Sequence, residues 1–182
     1  MTFRKHLVLQ KAVVFIFTLL WCVFATAQSS SDSTSWIVPS FFVHSGQIIK
    51  NYPEFPERKA AVLGEVALGF RYRENKYWHQ AMRFPEAGLS VTGGLLGNAS
   101  VLGSVIALNP YLKWKLNRSR SWHLHLKTGL GFAWFFNPYN EVKNPGNTLA
   151  GSSLANITQA SVGATVPIAS RWNFTAGVSV FH

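Results

Sequence analysis

The feature that most constrains this chain is a run of alternating apolar and polar residues between Ser121 and Phe136. Successive side chains of a β-strand face opposite sides of the sheet, so sustained alternation predicts a strand with two different faces. One face holds Trp122, Leu124, Leu126, Thr128, Leu130, Phe132 and Trp134, and the other holds His123, His125, Lys127, Gly129, Gly131 and Ala133. Thr128 is the only polar residue of the first set, so this strand has one nearly continuous apolar face.

Six further segments show the same alternation. In two of these segments the first residue, Pro85 or Leu102, is apolar and is expected to face outward with the other apolar residues of its segment. The segments are Trp36–Ser45, Val62–Tyr72, Pro85–Thr92, Leu102–Lys115, Leu154–Val166 and Arg171–His182. Together with the first run they predict an all-β fold of seven antiparallel strands.

The first 27 residues have the pattern of a secretory signal peptide. Arg4, Lys5 and Lys11 give a positive start, residues 12–25 are apolar, and Ala25-Thr26-Ala27 is a small-residue cleavage site. An uncleaved anchor is the alternative, but no stop-transfer pattern follows. We therefore expect two parts, a signal peptide at 1–27 and a β-barrel domain at 28–182.

Composition favours a barrel that lies in a membrane. Aromatic residues reach 14% and charged residues only 13%, and no apolar run after residue 27 approaches the length of a spanning helix. A soluble β-sandwich or lipocalin-like barrel would alternate as well, with its apolar face inside. The aromatic content and the polar, glycine-rich second face favour a transmembrane β-barrel of the bacterial outer membrane.

The connections predict how this barrel is oriented. Residues 117–120 and 167–170 are expected to be tight turns, whereas 46–60 and 137–150 are long and rich in Pro, Asn and Gly. Short periplasmic turns and long outer loops are typical of outer-membrane barrels. The 74–83 segment is longer than this pattern predicts. With a periplasmic start, the seventh strand runs outward and ends at His182.

Several short phrases in order are more specific than a generic barrel. Together, over roughly residues 60–182, they resemble the lipid A 3-O-deacylase (PagL-like) family, in the acyloxyacyl hydrolase branch of Bacteroidetes-type bacteria. The phrases are Lys76-Tyr77-Trp78-His79-Gln80, Phe84-Pro85-Glu86-Ala87-Gly88, Gly97-Asn98, Val101-Leu102-Gly103, Asn109-Pro110-Tyr111-Leu112, Gly129-Leu130-Gly131-Phe132-Ala133-Trp134, Asn144-Pro145-Gly146-Asn147, Gly151-Ser152 and the segment from Arg171 to His182.

The resemblance implies an eight-stranded outer-membrane barrel that hydrolyses an ester-linked acyl chain of lipid A, a component of lipopolysaccharide. The family's catalytic phrase is His-x-Ser-Asn-Gly near the end of strand seven, with a Glu further on, and His182 falls where that histidine would be. The sequence ends there, so the serine, the Glu and the eighth strand are absent from it. On this resemblance the chain is a family member truncated at its catalytic histidine.

The residues alone also place His182 on the apolar outer face, in phase with Val178 and Val180. Taken without the resemblance, an inert, solvated terminal residue is the simpler interpretation. With it, a histidine two residues before a serine places a base and a nucleophile on one face of a strand, directed towards the lipid. No cofactor or metal ion is expected.

Other candidate sites carry less weight. The pair His123 and His125 suggests a metal site, but no third ligand is apparent and packing in the lumen is the better explanation. Ser170, Ser179 and Glu141 match no catalytic position. The charged residues of the inner face are expected to form an ion-pair network that fills the lumen: Glu65, Arg71, Glu86, Lys113, Lys115 and Lys127.

Charge and export bear on the partners. The net charge is +10, of which +7 belongs to residues 28–182, but the basic residues are scattered and the chain is expected to be exported. We therefore expect lipid A and an anionic membrane surface as partners, and no nucleic acid. Whether the barrel forms a homodimer stays open. The alternatives to an esterase are a structural or binding barrel without chemistry, and an inactive truncated family member.

Overall fold

The computed structural model describes residues 35–50, 55–72, 77, 85–117, 121–169 and 172–182. The predicted signal peptide, residues 1–27, lies outside the described residues, and so does the 74–83 segment apart from Tyr77. Seven strands occur where the alternation predicts them, and the all-β prediction is confirmed. They are β1 Ser35–Gly46, β2 Ala61–Tyr72, β3 Glu86–Leu95, β4 Ser104–Lys115, β5 His123–Phe135, β6 Leu154–Pro167 and β7 Asn173–Phe181.

The seven strands form one sheet in chain order, and each strand pairs antiparallel with the next. The sheet curls into a nearly closed barrel whose first and last strands run in the same direction. These two edge strands approach each other through a side-chain contact. The rings of His44 on β1 and Phe181 on β7 meet edge to face with centroids 5.2 Å apart.

Burial alternates along the strands in the predicted phase. On β5, Leu130 and Phe132 are exposed on the outer face while Lys127 and Ala133 are buried on the inner face. The inner face is therefore the polar, small-residue face, and most large apolar side chains of the strands point outward. Within the described residues, no helix is long and apolar enough to cross a membrane.

The connections gather at two ends of the barrel. The end with segments 47–60, 96–103 and 136–153 is called the loop end here, and the end with 73–85, 116–122 and 168–172 is called the turn end. The two tight turns expected at 117–120 and 167–170 fall at the turn end, and each is only partly described. The two long segments fall at the loop end, as predicted.

A small apolar cluster fills the loop end of the lumen, and it corrects two sequence predictions. Leu102 was expected on the outer face of a strand, but it is fully buried in the 96–103 loop. Pro85 was also expected to face outward, but it is buried and lies just before β3. Both residues continue an apolar pattern beyond the point where the strand ends. The cluster consists of Phe55, Leu96, Leu102, Val105, Ala107 and Ala133.

Asparagine side chains tie the three loops of the loop end together. Asn98 donates to the carbonyl of Glu57 at 2.7 Å, and Asn137 donates to the carbonyl of Val101 at 2.9 Å. Asn144 donates to the same Val101 carbonyl at 2.9 Å. The asparagine amide group can donate hydrogen bonds to backbone carbonyls and accept them from backbone N–H groups. These bonds therefore satisfy loop carbonyls that have no partner in a β-ladder. The loops at the loop end are therefore hydrogen-bonded to one another around the apolar cluster.

Candidate functional site

The histidine singled out by the sequence lies directly after β7, at the loop end. Its backbone continues the β6–β7 ladder: Thr158 N–H donates to the His182 carbonyl at 2.7 Å, and His182 N–H donates to the Thr158 carbonyl at 2.9 Å. Strand alternation consequently extends to His182. Val180 and His182 are exposed and Phe181 between them is half-buried, so the imidazole belongs to the outer face.

Two polar residues of β6 accompany His182 on that face. Thr158 is exposed and directly opposite His182, and a hydrogen-bonded antiparallel pair of this kind has Cα atoms about 5.5 Å apart. Asn156 is exposed two residues further towards the loop end. We call His182, Thr158 and Asn156 the outer polar notch, because apolar side chains surround them. The cross-strand neighbours of Thr158 and Asn156 on β5 are Leu130 and Phe132.

The outer polar notch has the parts for proton transfer at an apolar surface. An imidazole accepts or donates a proton near neutral pH, and a threonine hydroxyl opposite it can donate or accept a hydrogen bond. Ser179 is on the other face of β7, where it lines the lumen, and Glu141 is exposed in the 136–153 loop. Neither shares a face with His182. Ser170 lies outside the described residues.

The lumen contains a second polar cluster, centred on Glu65. This carboxylate is 1% exposed and forms an ion pair with the buried ammonium group of Lys127. His44 Nε2 lies 2.9 Å from Glu65 Oε2, and Gln159 Nε2 donates to the same oxygen at 3.0 Å. Side chains from three other strands, β1, β5 and β6, thus contact one carboxylate on β2. The charged network predicted for the lumen is confirmed at Glu65 and Lys127.

A second lumen carboxylate, Glu86, lies nearer the turn end. Arg71 Nε donates to Glu86 Oε2 at 2.9 Å, and the hydroxyl of Tyr111 donates to Oε1 at 3.1 Å. The ammonium of Lys127 lies 4.3 Å from the centroid of the Tyr111 ring, which links the two carboxylate centres. Both lumen carboxylates therefore have a cation and a further donor as partners.

The histidine pair of β5 occupies the inner face but does not gather ligands. His125 is buried, with Nδ1 3.3 Å from the Thr165 hydroxyl, and His123 is half-buried near the turn end. Among the described residues, no group of three or more His, Cys, Asp or Glu side chains could hold a metal ion.

Sequence analysis missed several residues of both sites. Thr158 and Asn156 interrupt the apolar phase of β6, which is the signal that could have identified them. His44, Tyr111 and Gln159 fall in the polar phase of their strands, but their common partners depend on how the strands are arranged around the lumen.

Comparisons with protein-family models, with curated proteins and with solved structures find no match for this chain.

Proposed function

We propose that this protein is an outer-membrane esterase that removes an ester-linked acyl chain from lipid A, with His182 as its general base. The observation that supports this best is the position of His182. It lies on the exposed apolar face of the barrel, at the loop end, beside the polar side chains of Thr158 and Asn156. A base in that position can reach a substrate that stays in a lipid leaflet, without a path through the lumen.

The exposed apolar face supports the membrane part of the proposal. Large apolar side chains cover the outer surface of several strands, among them Phe41 at 70%, Leu130 at 67% and Val178 at 75% exposed. Contiguous apolar surface of this extent is rare on soluble monomers and is the normal outer band of a membrane barrel. The lumen, by contrast, contains ion pairs and glycines.

The chemistry follows the resemblance to the lipid A deacylase family. There the nucleophile is a serine two positions beyond the histidine, and strand alternation puts both side chains on the same face. The imidazole takes the hydroxyl proton while the oxygen attacks the acyl carbonyl, and it gives that proton to the departing sugar oxygen as the ester bond breaks. A water molecule, deprotonated by the same imidazole, then attacks the acyl-serine ester, which releases the fatty acid and returns the proton to the serine oxygen. A carboxylate that orients the imidazole completes the set.

The first test is the gene sequence immediately after the codon for His182. An in-frame x-Ser-Asn-Gly followed by another alternating strand supports the esterase. A stop codon at that point contradicts the claim that this chain catalyses by itself.

The second test is mass spectrometry of lipid A from cells expressing the full reading frame. We expect loss of one acyl chain, and His182→Ala should reduce that loss by roughly a thousandfold or more, because the nucleophile is left without its base. Val180→Ala, on the same face of the same strand, is the matched control and should retain activity. Full activity in His182→Ala removes this residue from the mechanism, and an unchanged lipid A profile favours a barrel without chemistry.

A further inference from the structure

A cavity of about 250 Å³ lies in the lumen beside the inner faces of β1 and β7. Its lining is polar on several sides and includes the Glu65–Lys127 ion pair, Lys113 on β4, His125 on β5 and hydroxyl side chains on β6 and β7. The glycines of these last two strands, Gly163 and Gly177, also line it and leave it open. The outer polar notch takes no part in this cavity, because its side chains are on the opposite face of the sheet.

The positive charge at this cavity exceeds the negative charge. The seven strands contain two acidic residues, Glu65 and Glu86, and both already have ion-pair partners. The described structure shows no hydrogen bond or ion pair made by the ammonium of Lys113, which is half-buried on the inner face. Glu86 lies opposite Lys113 in the β3–β4 register, but Arg71 already forms an ion pair with it, so two cations share one carboxylate. A cation held inside a protein with an incomplete counter-charge is costly.

Two other residues of the cavity lining add to the case for a ligand. The hydroxyl oxygen of Ser161 is buried without a hydrogen-bond partner, although a buried hydroxyl ordinarily has one. The ring of His125 packs on Gly163 so closely that a Cβ there would lie 2.9 Å from its Cε1 atom. The ring is thus held in place, and its Nδ1 is next to Thr165. An ammonium, a free hydroxyl and a fixed imidazole surround one space.

We propose that this cavity binds one carboxylate anion, held by Lys113 and the Ser161 hydroxyl with His125 beside it. A carboxylate accepts several hydrogen bonds and supplies the missing negative charge. Apolar residues such as Phe42 also line the cavity, so a carboxylate with an alkyl tail fits it better than a small ion. This site is independent of ester hydrolysis at His182, and the two are tested separately.

The test is a titration of the full-length protein, in a non-ionic sugar detergent, with octanoate labelled with ¹³C at its carboxyl carbon. We expect saturable binding of one octanoate per chain, seen as a shift of the carboxyl resonance beyond that in empty micelles. Lys113→Met, which keeps the length of the side chain, should weaken binding at least about tenfold. The exposed loop variant Lys143→Met is the matched control and should bind normally.

Two further ligands show what occupies the site, and a second variant tests the same contact. Acetate distinguishes a water-soluble acid from an amphiphile, and binding as tight as that of octanoate assigns the site to small acids. Octanol has the tail without the charge, so equal binding of octanol overturns the proposal. Ser161→Ala provides a second variant if Lys113→Met does not fold. Absence of saturable octanoate binding, or undiminished binding in both variants, also overturns it.

Discussion

At the scale of single residues, Glu65 is the side chain on which the lumen depends most. It accepts hydrogen bonds from Lys127 and Gln159 and contacts His44, so it connects β1, β2, β5 and β6. Lys127 is itself 4% exposed. A buried ion pair gives little net stability, but removal of one partner leaves the other charge uncompensated.

Glu65→Gln should therefore destabilise the barrel by about 3–5 kcal/mol, since the ammonium of Lys127 stays buried and loses its countercharge. The measurement is the midpoint of urea unfolding of the protein in lipid vesicles. Glu141→Gln, at an exposed loop position, is the matched control and should unfold like the parent. Equal midpoints for the Glu65 variant and the parent would mean that Lys127 is solvated by water in the lumen.

At the scale of strands, a proline and a glycine determine how β4 and β5 pack against each other. Pro110 lies within β4, and the β4–β5 register is interrupted between the pairs Leu108↔Phe132 and Tyr111↔Gly129. A proline has no N–H to donate to a ladder. In the same unpaired stretch of β5, a Cβ on Gly131 would lie 2.0 Å from the Leu108 carbonyl oxygen. The backbone of β4 therefore leaves no room for a side chain at Gly131.

Gly131→Ala should push β4 and β5 apart and destabilise the barrel by about 1–3 kcal/mol, the usual cost of an overpacked site. The atom it meets belongs to the backbone and cannot rotate away. Gly151→Ala is the matched control, because a Cβ there has no atom within 4 Å. The effect is measured as the fraction of protein that runs as the folded band, rather than the unfolded band, on a gel of unheated samples. A Gly131 variant as stable as the Gly151 variant contradicts this packing.

Strands were predictable from sequence, whereas their ends and mutual contacts were not. Alternation is local, so β5 and its two faces follow directly from the run at 121–136. Leu102 continues the apolar phase of β4, but its burial depends on Leu96 at the start of its own loop and on Phe55 in another loop. The candidate site is likewise only partly predictable from the sequence. The face of His182 follows from the phase of β7, whereas its pairing with Thr158 depends on the β6–β7 register, which alternation does not determine.

At the scale of the whole molecule, the distribution of polar and apolar residues is inverted relative to a soluble barrel. The middle of the lumen has two ion-pair centres, around Glu65 and Glu86, and the cluster of buried apolar side chains lies at the loop end. Most large apolar side chains are outside. This arrangement suits a solvent of hydrocarbon around the barrel, where a charged side chain on the outer face is costly.

Leu130→Arg tests the membrane proposal directly. Leu130 is 67% exposed in the middle of the outer face of β5. A guanidinium there should cost about 2–4 kcal/mol if that face contacts lipid, because arginine near the midplane of a bilayer has a penalty of that size. If the face contacts water instead, the substitution should have almost no effect. Stability is measured by urea titration in vesicles, together with the folded fraction recovered from outer membranes.

Val142→Arg is the matched control for that substitution. Val142 is 89% exposed in the 136–153 loop, so an arginine there meets water whether or not the barrel spans a membrane. We expect the Leu130 variant to lose stability and the Val142 variant to retain it. If both variants unfold at the parent's midpoint, the outer apolar face does not contact lipid. The outer polar notch would then lie in water, and lipid A in a leaflet could not be its substrate.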